Sequence, residues 1–293
     1  MLNDRPDEPA RRTYWTEQMD LAGRLAANIT EYPVEECGEG LVSLPEAAAA
    51  EKVRVRFSAS PTVPGHQRIF SLREGLIAPF LAAAGEMNGR GWVLKVEDGF
   101  RTRRMQKLLA RKQPVFDAIL KRVIWEHGGR LPSVDLVARR LAVLVAGNAK
   151  VGTHMSGSAM DISVVRADDG SELDRGGPYL EMSELTPMGS PFVPEPARAN
   201  RAEITALLGR HGFAAYPYEF WHYCQGDALA GCLSGSGRPA RYGPIDWDPA
   251  TGAVKPIDRP EMPLNSMEEI QAEIEQAMAR LGQDSSPLDR RRR

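Results

Sequence analysis

Cysteine is scarce. Cys37, Cys224 and Cys232 are the whole complement of a 293-residue chain, too few for a disulfide framework at this size and in keeping with a reducing compartment. The expectation for all three is a buried, inert thiol. An excess of one charge is also lacking: 37 Lys and Arg against 39 Asp and Glu leave a formal charge of -2. That balance excludes electrostatically driven binding to nucleic acid or to an anionic membrane as the main activity. Long apolar runs are missing too. The longest, GLIAPFLAAAG over 75–85, is interrupted by Pro79 and is far too short to span a bilayer. The opening MLNDRPDEPARRTYW has no apolar stretch behind its charges, so no secretory leader is read and the chain is expected to be cytoplasmic. No internal repeat is found, and nothing in the sequence sets the oligomeric state. What is present, 42% hydrophobic and 26% charged residues, is enough for a sizeable core.

Periodicity organises the chain. Trp15, Met19, Ala22, Leu25 and Ile29 recur at helical spacing up to Pro33. Ser71 with Glu74 reads as a capping box for a helix through Ala84, kinked at Pro79. Trp92 to Glu97 alternates as a strand up to Asp98-Gly99, after which Thr102 caps a helix carrying Met105, Leu108 and Leu109. Ser133 opens a further helix through Ala146. Residues 152–157 read as a turn and 158–165 as a strand with Ala159, Asp161 and Ser163 on one face and Met160, Ile162 and Val164 on the other. After a Gly/Pro-rich loop from Asp168 to Pro196, Asn200 with Glu203 caps a short helix ending at Gly212, and the aromatic run from Phe213 to Tyr223 reads as strand. Beyond Gln225 the chain reads as loop until Ser266 and Glu269 cap an amphipathic helix closed by Gly282. The arginine-rich end after Asp289 reads as frayed.

Three groups of residues carry chemistry. Asp161 stands in a strand interior, where aspartate is depleted; alone it reads as part of a solvated face, and His154 alone as a surface loop histidine. Together they change the odds, because Gly157 between them lets the chain fold back so that imidazole and carboxylate converge on one cation, a pair suited to zinc. The second group is Tyr218-Glu219-Phe220-Trp221-His222-Tyr223-Cys224. A catalytic zinc keeps three protein ligands and an open position, and peptide hydrolysis needs a carboxylate nearby as general base. Glu219 and His222 supply such a pair, although three-residue spacing places them on opposite faces of a flat strand, so the strand reading requires a bend near Pro217. A competing reading pairs Cys224 as nucleophile with His222 as base. The third element, Arg101 at a strand-to-helix junction, is either an ordinary ion-pair partner or, beside the other motifs, a donor to a developing oxyanion.

In chain order, Asp98-Gly99-Phe100-Arg101, His154-Met-Ser-Gly-Ser-Ala-Met-Asp161 and Glu219-Phe-Trp-His222 resemble the D-alanyl-D-alanine dipeptidase family of zinc peptidases, related to D-alanyl-D-alanine carboxypeptidases and to the non-peptidase hedgehog signalling domain. The resemblance spans roughly Arg68 to Gln225 and includes the weaker Pro187-Met-Gly-Ser-Pro-Phe192. It implies His154, Asp161 and His222 as zinc ligands, Glu219 as general base and Arg101 as transition-state stabiliser. The implied fold is α+β, a central antiparallel sheet with flanking helices and the zinc site on the sheet face. The implied activity is hydrolysis of D-alanyl-D-alanine or a related short D-amino-acid peptide by zinc-activated water. The relatives leave two other readings open, a carboxypeptidase or endopeptidase on peptidoglycan stem peptides and a hedgehog-like binding module without turnover. On this reading residues 1–67 are an N-terminal extension, 68–225 the peptidase core and 226–293 a C-terminal extension, and the partner is a small peptide.

Two positions depart from the family pattern. A serine is usual two residues before the first His; here Gly152 stands there and Thr153 is the only nearby hydroxyl, a candidate substrate contact. The aspartate that receives a dipeptide's ammonium group is replaced by Val193, with Glu195 the candidate substitute.

Overall fold

The computed structural model describes residues 7–284. Trp15, Met19, Ala22 and Ile29 are buried along one face of helix α1 (Glu8–Glu31), which stops just before Pro33 as its periodicity predicts. A short strand β1 (Leu41–Ser43), helix α2 (Leu44–Ala50) and strand β2 (Val55–Phe57) follow. The expected helix from Ser71 begins later. Ser71–Arg73 is strand β3, paired antiparallel with β1, then comes a single 3-10 turn, and α3 runs over Ile77–Gly89. Pro79 therefore lies in the first helical turn, where no N–H is needed, and has no interior bond to break.

Strand β4 (Trp92–Asp98) leads to α4 (Arg103–Leu109), capped by Thr102 Oγ1 accepting from Met105 N–H at 3.2 Å. Helices α5 (Gln113–Glu126) and α6 (Val134–Leu141) follow, the second capped by Ser133 and prolonged by a π-helical turn, Ala142–Ala146. A 3-10 turn, Thr153–Ser156, precedes β5 (Ala159–Arg166). Helix α7 (Glu195–Arg210) starts at Pro194-Glu195-Pro196, not at Asn200; the proline in the first turn sets the start, and Asn200 instead donates from its side chain to the Asp174 carbonyl. The aromatic run is not one strand but a hairpin, β6 (Ala214–Ala215) and β7 (His222–Cys224), with a turn around Pro217. The stretch read as loop after Gln225 contains α8 (Ala228–Ser234) and the hairpin β8 (Ile245–Trp247) with β9 (Val254–Pro256). These are short, and their pattern is too brief to show. Helix α9 (Met267–Asp284) carries the expected capping box between Ser266 and Glu269 and runs past Gly282. The arginine-rich end lies outside the described residues.

The main sheet has the order β2-β4-β5-β7-β6. It is mixed rather than antiparallel throughout, because β2 runs parallel to β4, the two being joined by a crossover that contains α3, whereas β4-β5-β7-β6 are antiparallel. One face, with Leu94, Val96, Met160, Ile162 and Val164, packs against Phe80 and Met87 of α3 and Ile204 and Leu208 of α7. A second apolar cluster joins α1, α5, α6, α9 and the π-helical turn through Trp15, Phe116, Ile119, Val137, Leu144 and Ile274. β5 is buried on both faces, not half-exposed as expected. Of the cysteines, Cys224 is buried and Cys232 partly so, but Cys37 is exposed. Among the described residues no helix is long and apolar enough to cross a membrane.

Candidate metal centre

β5 and β7 pair with Asp161 opposite His222. The β4–β5 ladder shifts register between Val96 and Asp98 and brings Asp98 opposite Asp161; such an irregularity re-aims a side chain. One row across three strands thus holds Asp98, Asp161 and His222. His154 arrives from the 3-10 turn before β5, which ends on Gly157 at φ 65°. A Cβ there would lie 2.5 Å from Leu41 Cδ2 in a left-handed backbone, so only glycine makes this return.

His154 Nε2 lies 3.1 Å and His222 Nδ1 3.0 Å from the same oxygen, Asp161 Oδ1. Candidate ligand atoms of the three residues all fall within 4.8 Å of one another, and all three side chains are buried. His154 Nδ1 is 2.7 Å from the Gly99 carbonyl, which can only accept, so Nδ1 carries the proton and the Nε2 lone pair faces the carboxylate. Two lone-pair atoms in that arrangement need a cation, either a second ring proton or a metal ion. Burial first, then the Arg101 charge, lowers the His154 pKa and opposes the second proton. The residues present therefore fit a divalent cation held by two imidazoles and a carboxylate.

The surrounding electrostatics are set by the same groups. Burial alone would raise Asp161, but the two imidazoles and Arg101 outweigh it and hold the carboxyl well below its ordinary range. Burial opposes charge on His222, yet its bond to Asp161 leaves its pKa raised. The outer oxygen, Asp161 Oδ2, accepts from Arg101 Nη2 at 2.9 Å and from the Tyr179 hydroxyl at 3.0 Å. Arg101 also donates from Nε to Asp98 Oδ2 at 2.9 Å and from Nη1 to Gln106 Oε1 at 3.3 Å, and Gln106 in turn donates to the Val145 carbonyl. Asp98 is itself paired with Arg68 at 2.8 Å. Sequence pattern alone assigns no role to Asp98, Gln106 or Tyr179. Asp98 lies in the Asp98-Gly99-Phe100-Arg101 motif, whereas nothing in the pattern around Gln106 or Tyr179 marks either.

Glu219 sits in the turn between β6 and β7, where Glu219 N–H donates to the Tyr216 carbonyl and His222 N–H to the Glu219 carbonyl. This turn supplies the bend that the three-residue spacing demanded. Burial raises the Glu219 carboxyl from an ordinary 4.5 to about 8, against the pull of His222. Glu219, Arg101, His154, Asp161 and His222 line one pocket. Thr153 lines it too, but its hydroxyl is hydrogen-bonded to His222 Nε2 at 2.9 Å, the donor following the imidazole tautomer. Val193 is buried, and a Cβ on Gly176 would meet its Cγ1 at 2.4 Å. Glu195 opens α7 with an exposed side chain paired to Arg198, outside the pocket lining. His222 is committed to Asp161 and Thr153, and burial raises the Cys224 thiol well above its ordinary pKa, so no nucleophile pair forms there.

Comparison with known proteins finds a match of residues 80–236, a little over half the chain, to a family described as D-ala-D-ala dipeptidase. Similar proteins include the D-alanyl-D-alanine dipeptidase of Enterococcus faecium, 29% identical over 75 residues, which is 26% of this chain and 37% of that protein. The D-alanyl-D-alanine dipeptidase of Streptomyces coelicolor is 29% identical over 70 residues, 24% of this chain and 35% of the relative. The matched stretch spans little more than a third of either relative's length.

Proposed function

The chain belongs to the D-ala-D-ala dipeptidase family of metallopeptidases, and from that premise we propose that it is a zinc peptidase hydrolysing D-alanyl-D-alanine or a related short D-amino-acid peptide. His154, Asp161 and His222 are the ligands in this reading, and residues 68–225 form the catalytic core. When bound, zinc would supply Lewis-acid polarisation of the scissile carbonyl and a water of lowered pKa. Arg101 is held as a cation by Asp98, Asp161 and Gln106 beside the cluster; two of its five N–H groups are not spent on these partners and serve the oxyanion of the substrate. Glu219 takes the proton of the attacking water and returns it to the leaving amine.

The observation that carries the reading is geometric: the three candidate ligands, Glu219 and Arg101 line one pocket. Burial raises the Glu219 carboxyl beside that cluster, in the direction that suits a group exchanging protons, and a module that only binds zinc needs neither Glu219 nor Arg101. The test is metal analysis of wild-type and Glu219→Gln protein with assays on free and N-blocked D-alanine peptides. The variant should keep one zinc per chain and lose about 10²- to 10⁴-fold in kcat. Loss of metal from it would make Glu219 a ligand, and no amine release from any peptide by metal-loaded wild type would remove the peptidase reading.

A further inference from the structure

The pocket is more apolar than two alanine methyl groups require. Facing the metal cluster, its wall is built from Leu109 of α4, Val115 of α5, Val143 to Val145 of the π-helical turn and Met182. The wall is continuous with the helical core, yet it is not sealed. Ile119, Leu120 and Val137 of the same core are 0% exposed, whereas Leu109 and Val115 retain 9% and Val143, Leu144 and Val145 each retain 6%. All five of these partly exposed residues line the pocket, and the three sealed ones do not.

The backbone that shapes this wall is irregular. A π-helical turn is a costly departure from α-helix and is frequent at functional sites. Among the described residues four other than glycine have positive φ, and two of them, Ala146 at 65° and Leu180 at 67°, line this pocket. Ala146 ends the π-helical turn; Leu180, at the loop that carries Tyr179, is 37% exposed. Such conformations persist where the surroundings require them.

We infer that the substrate carries a bulky apolar side chain next to the scissile bond, seated against Leu109, Val115, Val143, Leu144 and Met182. This deepens the peptidase reading and rests on it. Each methylene moved from water into a wall of this kind favours the larger substrate, and an apolar pocket discriminates about 10- to 200-fold per group.

The experiment is a kcat/KM series on zinc-loaded protein with D-Ala-D-Ala, D-Leu-D-Ala, D-Ala-D-Leu, D-Phe-D-Ala and D-Ala-D-Phe, repeated for Met182→Ser and Leu180→Ser. The same peptides are titrated calorimetrically against Glu219→Gln protein, which reads binding whether or not turnover occurs. At least one bulky peptide should exceed D-Ala-D-Ala by tenfold or more in both measurements, and Met182→Ser should reduce that ratio several-fold. Hydrolysis of D-Ala-D-Ala as fast as every bulky peptide would overturn the inference and leave the proposed function standing. Absence of all hydrolysis would remove the proposed function. In that case calorimetry decides: bulky peptides that bind no more tightly than D-Ala-D-Ala overturn the inference too.

Discussion

The two faces of β5 are equally buried and chemically opposite. Met160, Ile162 and Val164 point into an apolar cluster with α3 and α7, while Asp161 and Ser163, on the alternate face, sit among ionisable groups. The apolar face is held by area removed from water, which is non-directional and tolerates repacking. On the other face the single side chain of Asp161 accepts from Arg101 and Tyr179 and faces two imidazoles, so its removal takes a partner from four buried groups at once. A strand can therefore carry a fold on one side and a reaction centre on the other, provided every polar group of the second side has a partner.

Substitutions can break the comparison. The largest effect is expected for His154→Ala or Asp161→Ala, each of which should abolish stoichiometric zinc measured by metal analysis; retention of zinc by His154→Ala would show that the ligand set is different. Arg101→Ala should lower kcat by about 10²-fold or more. It also strips Asp98 and Asp161 of a buried partner, so about 3–5 kcal/mol of stability should go with it in urea titration. An unchanged kcat would leave Arg101 a structural ion pair. On the apolar face, Ile162→Val should cost only about 0.5–1.5 kcal/mol, with zinc content and kcat unchanged. A fall in zinc content in that variant would mean the two faces are coupled.

The smallest effect is expected at Glu195. Reading a free ammonium with a buried carboxylate is worth about 10- to 100-fold. The only carboxylates among the described pocket-lining residues are Asp161 and Glu219, both committed to the centre, while Glu195 is outside it. Free and N-acetylated D-Ala-D-Ala should therefore differ less than about tenfold in kcat/KM, and Glu195→Gln should not change the ratio. A thousandfold preference for the free dipeptide would point to another ammonium-binding group.

The centre was more legible than the sheet that holds it. Local signals did well where one short stretch sets the geometry: Thr102, Ser133 and Ser266 cap the helices they were expected to cap. The failures lie where distant contacts decide. Ser71 carries a capping pattern, but pairing with β1 takes it into a strand. Phe213 to Tyr223 has strand composition, but the hairpin turn is needed to place Glu219 and His222 together. The parallel pairing of β2 depends on a crossover, which a three-residue strand does not announce.

By itself the sequence determined the identities that chemistry needs and their order: a glycine that permits the return between His154 and Asp161, a glutamate three residues before His222, and an arginine after a strand. Those are properties of residue type and short spacing. Only the tertiary structure decided that Asp161 is shared between two histidines, an arginine and Tyr179, that Glu219 is desolvated, and that Thr153 supports His222 while Glu195 turns to solvent. The physical reason is that burial and partner choice are set by segments as far apart as 69 residues, as for Thr153 and His222, and desolvation, which sets the proton chemistry here, exists only once those segments have closed around the site.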